Sequence, residues 1–279
     1  MTDGSDLSRS DTVALPVNRA SRWSQVAGWS TLLLLAAFAW LAPFALPDPY
    51  LQDLGATLQP PSVRHWLGTD PLGRDTLARL AEGTRVSLAL ALGAALLAAV
   101  LGSALGLLAA WHPGWLARLL QNLADAATAV PGLLWVLLLS PLSPGEKWPL
   151  YLGLVLMAWV EFFRTTRASV GTLLVGPQVQ ASRLLGFGPG YIALHHLWPE
   201  VRSNWLSLTA FAICSGVLAV AALGFIGVGL RPPGAELGLL MTEALPYASE
   251  APRLVIGPIV SLLACVIALH AVAQGDSTP

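Results

Sequence analysis

Charge is what this sequence has least of. Asp, Glu, Lys and Arg make up 11% of its 279 residues, where soluble domains carry about a quarter. Hydrophobic residues account for 55% and the mean hydropathy is +0.64, which excludes an ordinary water-soluble globular domain. Lysine occurs once, as Lys147, and the formal net charge of -1 gives no face for nucleic acid. The two cysteines, Cys214 and Cys265, each fall inside an apolar run and have no metal-ligand spacing, so both are expected as buried packing residues and no metal is expected on the chain. A phosphate-cradling GxxxxGK[ST] motif is missing. So are an HExxH motif, an assignable Ser, His and Asp set and paired carboxylates within the apolar runs, so no catalytic residue is assigned and a stand-alone enzyme is not expected. No internal repeat stands out, against the duplicated halves of many secondary transporters.

What the chain has in abundance is long apolar runs. A hydrocarbon core about 30 Å thick is crossed by about 20 apolar residues in a helix, and 279 residues leave room for about six such spans. The expected fold is an all-α polytopic membrane protein with spans at residues 27–46, 86–111, 119–140, 148–163, 204–230 and 253–273. The polar residues 1–26 precede the first span without a small-residue cleavage site, so residues 27–47 read as an uncleaved anchor. Trp29 and Trp40 suit its interfaces. Gly93, Gly102 and Gly106 in the second span are placed to let helix backbones approach closely.

Two segments are too polar for lipid. Residues 48–83 form a loop rich in Pro, Gly and Asp that ends in an amphipathic stretch, and residues 164–203 are a long insert between spans. Such inserts are usually functional. The second contains PQVQASRLLGFG, a break at Gly186, Gly188, Pro189 and Gly190, then YIALHHLW ending at Pro199, which reads as a helix, turn and helix outside the membrane. Rigid helices joined to spans transmit displacement, so this segment is the expected docking surface for a separate soluble motor.

Several intramembrane or interfacial polar residues are pathway or interface candidates. Asp125 lies in the third span and reads either as a functional carboxylate or as an interfacial acid. Glu161 and Arg164 sit three residues apart on one helix face and are expected to pair, with Arg167 a turn further on. Pro131 and Pro258 are expected kinks. His195 and His196 point about 100° apart on one helix, which disfavours chelation. Asp70, Arg74 and Asp75, in the polar loop at residues 48–83, could form a catalytic-looking cluster. An ion-gradient-driven transporter remains an alternative, with only Asp125, Glu161 and His270 to carry ions.

The order Gln180, Ala181, Ser182, Arg183, Gly186, then Ile192, Leu197 and Pro199 resembles the Glu-Ala-Ala coupling motif of binding-protein-dependent ABC importer permeases. HWLGTDPLGRD, TRVSL at residues 84–88, DAATAVPGLL, Trp159 with RTTR at residues 164–167, and AALGFIGVGLRPP at residues 221–233 extend the likeness. Together they resemble the second permease subunit of the dipeptide, oligopeptide and nickel importer group. The pattern departs at Gln180 (an acid in the motif), Ser182 (alanine), Val220 (an acid) and Leu237 (tryptophan), and the tail is shortened to AQGDSTP.

The resemblance implies a type I ABC importer transmembrane domain over residues 84–275, with a cytoplasmic coupling loop at residues 164–203. It implies a homologous second permease, two ATP-binding subunits carrying ATP and Mg, an extracytoplasmic solute-binding protein, and no cofactor on this chain. It also implies di- or oligopeptides as substrate, or else nickel or a metal chelate. Counting Arg and Lys leaves orientation open, eight on one side against seven on the other; the resemblance places both termini in the cytoplasm of a bacterium and residues 48–83 outside, and implies that Asp70, Arg74 and Asp75 belong to a structural loop near the binding-protein side.

Overall fold

A computed structural model describes residues 19–275; the polar first 18 residues and the last four lie outside the described residues. Among the described residues the chain is helical, with a single isolated bridge between Thr69 and Asp75 and no strand. Ten α-helices follow in order: α1 (Arg19–Ala45), α2 (Thr76–Trp111), α3 (Trp115–Ala129), α4 (Gly132–Leu139), α5 (Trp148–Leu174), α6 (Pro177–Leu184), α7 (Pro189–Ile192), α8 (Trp198–Phe225), α9 (Leu237–Ala244) and α10 (Arg253–Gly275).

Among the described residues four helices are long and apolar enough to cross a bilayer: Trp23–Ala45, Thr76–Trp111, Trp205–Phe225 and Arg253–Ala273. A fifth is gained if Trp115–Ala129 and Gly132–Leu142 count as one bent span. The expected fourth span, α5, has 27 residues but carries Glu161, Arg164 and Arg167 in its second half. The expected third span is not one rod: it breaks at Val130 and Pro131, and its halves meet at 81°. Pro131 has no N–H to extend α3 and its ring disfavours helix at Val130, which is extended with ψ 121°.

Other boundaries also differ from expectation. Asp75 caps α2 by accepting from the Ala78 N–H at 2.8 Å, so the amphipathic stretch after residue 75 is the first part of the span helix itself. Helix α5 continues through Arg164 and Arg167 to Leu174, so the polar segment between helices begins near residue 175, not residue 164. Helix α8 stops at Phe225 because Gly227, at φ +79°, turns the chain: its N–H donates to Gly224 O and the Val228 N–H to Leu223 O.

The core is built around α2, which packs along α5 and against α8. At Gly102 an added Cβ would lie 2.3 Å from Trp159 O, and at Gly106 2.6 Å from Phe163 O, so α2 and α5 touch backbone to backbone. Gly153 of α5 meets Val136 of α4 in the same way, and Gly28 of α1 lies against Ala268 and Ala271 of α10. With no apolar driving force between helices in lipid, such close van der Waals contact is what holds a bundle together.

The loop between α1 and α2 is strapped to this bundle. Arg253, at the start of α10, donates to the main-chain oxygens of Leu58, Gln59 and Leu67 at 2.8–3.2 Å. Asp70 accepts from Arg74 Nε at 2.6 Å and from Arg79 Nη1 at 2.9 Å, and Arg79 reaches Glu243 of α9 at 2.8 Å. Asp75 also accepts from His65 at 2.8 Å. These side chains are largely buried and joined to one another by ion pairs, with Arg79 Nε left without a partner among the described residues, so the catalytic-looking cluster is a structural clamp between loop, α2 and α9.

Candidate functional site

Residues 175–198 fold as the sequence pattern implies, with one difference. Helix α6 opens on Gly176 and Pro177 and ends in a turn centred on Gly186, φ +81°, where the Gly186 N–H donates to Arg183 O and the Phe187 N–H to Ser182 O, both 3.0 Å. This paired closure satisfies the last carbonyls of the helix and needs a residue without Cβ at its left-handed position. Pro189 then starts α7. The second helix does not end at Pro199: a π-helical turn, Ala193–Leu197, carries it into α8. Pro199 can neither donate to residue 195 nor tolerate its carbonyl nearby, and the wider turn absorbs both constraints.

The helix pair is rigid because it has a core of its own. Val179, Ile192 and Leu197 are buried against Val170 and Leu174 of α5 and Val201 of α8, with Leu107, Ala110 and Trp111 of α2 completing the cluster. Ser182, buried on α6, is 2.8 Å from His196 Nε2 across the pair. Phe187, Tyr191 and His195 stack in a row at 4.3 and 4.1 Å between centroids. Of the motif residues, Ser182, Ile192 and Leu197 face inward, while Gln180, Ala181, Arg183, Gly186 and Pro199 are exposed. Leu184 and Leu185 project beside them with 89% and 75% of their surface free. Exposed apolar patches of this kind are characteristic of interaction sites; the sequence reading missed these two leucines because in the linear pattern they look like helix core.

A second feature is a cleft of about 580 Å³ between α2, α4, α5 and α8. Its walls include Ala91, Pro131, Trp135, Met157, Glu161 and Phe211. Trp135 Nε1 donates to Ala127 O at 3.2 Å, which fixes α4 across the bend from α3. Pro131 and Glu161 thus belong to one cavity. The expected Glu161–Arg164 pair does not form: Arg164 Nη2 turns instead to Asp125 Oδ1 at 2.8 Å and Thr128 at 3.2 Å, joining α5 to α3. Gln121 donates to the same Asp125 oxygen at 2.9 Å and accepts from Arg167. Asp125, Arg164 and Arg167 therefore form one polar lattice at the rim.

Glu236 was not singled out by the sequence. It is fully buried, and it caps α9: Oε1 accepts from the Gly238 N–H at 2.9 Å and from Ser87 at 3.2 Å, and Oε2 from the Leu239 N–H at 3.0 Å. Burial pushes its carboxyl above its ordinary value, against the pull of these three hydrogen bonds.

The family model for the binding-protein-dependent transport system inner membrane component matches residues 102–275. Among similar proteins, the di/tripeptide transport system permease protein DppC of Pseudomonas aeruginosa is 33% identical over 252 residues, 88% of this chain and 83% of that protein. The glutathione transport system permease protein GsiD of Pectobacterium atrosepticum is 29% identical across 90% of this chain and 84% of that protein. The oligopeptide transport system permease protein OppC of Mycobacterium tuberculosis is 28% identical across 92% and 88%. With the family model covering more than half of the sequence and relatives aligned along most of it, this helical membrane chain belongs to the inner membrane components of binding-protein-dependent transport systems.

Proposed function

We propose that the chain is one of two permease subunits of an ATP-driven importer of di- or oligopeptides in the bacterial cytoplasmic membrane. The names of its relatives, which are peptide and glutathione permeases, favour a short peptide over the alternative, nickel or a metal chelate. In this reading two separate subunits bind and hydrolyse ATP with Mg, this chain binds no cofactor, and an extracytoplasmic solute-binding protein delivers substrate to the side of residues 48–83. Both termini face the cytoplasm.

The observation that carries the reading is the self-packed helix pair at residues 177–197 with its exposed apolar knob. Gln180, Ala181 and Arg183 would touch the ATPase directly. Ser182, Ile192 and Leu197 would hold the pair's internal geometry, Gly186 its turn, and Pro199 the joint with α8. Because the pair shares one core with the ends of α2, α5 and α8, displacement of the ATPase would move three helices together. The cleft with Pro131 and Glu161 would be this subunit's half of the path, with Asp125, Arg164 and Arg167 holding its rim.

The test is the ATPase rate of the whole complex carrying Gly186→Pro. Proline cannot adopt φ +81° and removes the N–H that closes α6, so vanadate-sensitive hydrolysis stimulated by the binding protein should fall at least about tenfold. A complex that hydrolyses ATP at the wild-type rate would exclude coupling through this segment.

A further inference from the structure

The cleft is lined by alanine, leucine, methionine and aromatic side chains, with only one charged side chain among them, Glu161. Glu161 is exposed to that space, and no hydrogen bond or ion pair to it is found among the described residues. The cation best placed to neutralise it, Arg164 three residues on, is already taken by Asp125 and Thr128, and Arg167 is turned to Gln121. Both arginines of α5 are thus held at the rim, and the carboxylate is left free within.

A carboxylate without a protein partner in a mostly apolar cleft is costly, and such residues mark sites where a partner arrives. Here the partner must be a cation. A peptide carboxylate or any other anion would be repelled by Glu161, while an ammonium would find the carboxylate in a cleft whose walls also carry the rings of Trp135 and Phe211, and aromatic rings attract cations through their quadrupoles. Resting on the peptide-importer reading above, we infer that Glu161 receives the α-ammonium group of the peptide in transit, so that this subunit selects for a free amino terminus after release from the binding protein. The remaining apolar wall suits uncharged side chains of varied size, with Met157 adapting its shape to them.

The experiment is uptake by the complete transporter, with its binding protein, in proteoliposomes. Radiolabelled Ala-Ala and its N-acetylated form are compared for wild type, Glu161→Gln and Glu161→Asp. E161Q keeps the size of the side chain and removes the charge; it should raise the half-saturating concentration for Ala-Ala by about tenfold to a hundredfold. E161D should stay within about threefold of wild type. Uptake of the acetylated peptide, which has no cation to lose, should fall far less in E161Q than uptake of Ala-Ala, and the E161Q complex should still assemble.

Equal uptake of Ala-Ala by wild type and E161Q would overturn the inference alone. So would an equal loss for both peptides, which would mark a proton site or a general packing role, and so would dissociation of the E161Q complex, which would make Glu161 a contact with the second permease. A wild-type complex that imports neither peptide would overturn the peptide reading and this inference with it.

Discussion

Glu236 shows how much a single side chain can decide. Its carboxylate closes the start of α9 and ties it to Ser87 of α2, yet it sits with no surface in contact with solvent. A carboxyl whose folded-state proton affinity is raised contributes most to stability below its unfolded value, and the contribution declines as pH rises through the elevated one. The stability of the wild-type chain in detergent should therefore fall from about pH 4.5 upward. Glu236→Gln has no proton to lose and should flatten that slope, at a cost of about 1–2 kcal/mol because one acceptor oxygen of the cap becomes an NH2 group. Parallel melting curves for the two across pH would contradict this account. Nothing in the local pattern points to Glu236, because its partner Ser87 is 149 residues away and an acid in a Pro- and Gly-rich loop looks solvated. Asp125 was legible as a polar residue in a span, but its partner was not: Glu161 was the nearer choice for Arg164 in sequence, and a neighbouring helix supplied the closer one in space.

Helices were legible wherever uncharged runs were long, and their ends were misread wherever charge was taken as a boundary. Hydropathy ends α5 near Phe163, but the backbone ladder is indifferent to side-chain charge, and Arg164 and Arg167 find partners on α3, so the helix continues. Pro131 announced a kink; the 81° angle depends on the packing of α4 against α5 through Val136 and Gly153, which no local pattern contains. The close approach at Gly102 and Gly106, in contrast, was readable as small residues a turn apart. Gly102→Ala, whose Cβ would meet Trp159 O at 2.3 Å, should cost about 1–3 kcal/mol by forcing α2 from α5. Gly171→Ala, on the same α5 with nothing within 4 Å of the new Cβ, should be neutral or stabilise by up to about 1 kcal/mol through helix propensity alone. Thermal unfolding in detergent distinguishes the two, and equal shifts would rule out the close-contact account.

At the scale of the molecule, helix α2 sets the distance between two functional ends. Its 36 residues span about 54 Å, with the strapped loop between α1 and α2 at its start and the α6–α7 pair packed on Leu107, Ala110 and Trp111 at its finish. The two ends should lie on opposite sides of the membrane. In a Cys214→Ser, Cys265→Ser background, Val63→Cys, 97% exposed at present, should react with an impermeant maleimide in intact cells, while Leu184→Cys, 89% exposed, should react only after permeabilisation. The reverse pattern would invert the proposed orientation. Counting basic residues could not settle this, because Arg74, Arg79 and Arg253 on one side are spent on structure: they are buried in ion pairs or bonded to backbone oxygens, and a topology rule that counts charges cannot tell a clamp from a surface.

The strap made by Arg253 has a consequence for how this loop can diverge. A guanidinium that binds only main-chain oxygens is blind to the side chains hung on them. Gln59, which is exposed, could be exchanged for almost any residue without loosening the attachment, whereas lengthening the chain by one residue between positions 59 and 67 would displace the oxygens themselves. The loop is therefore free to drift in composition and constrained in length.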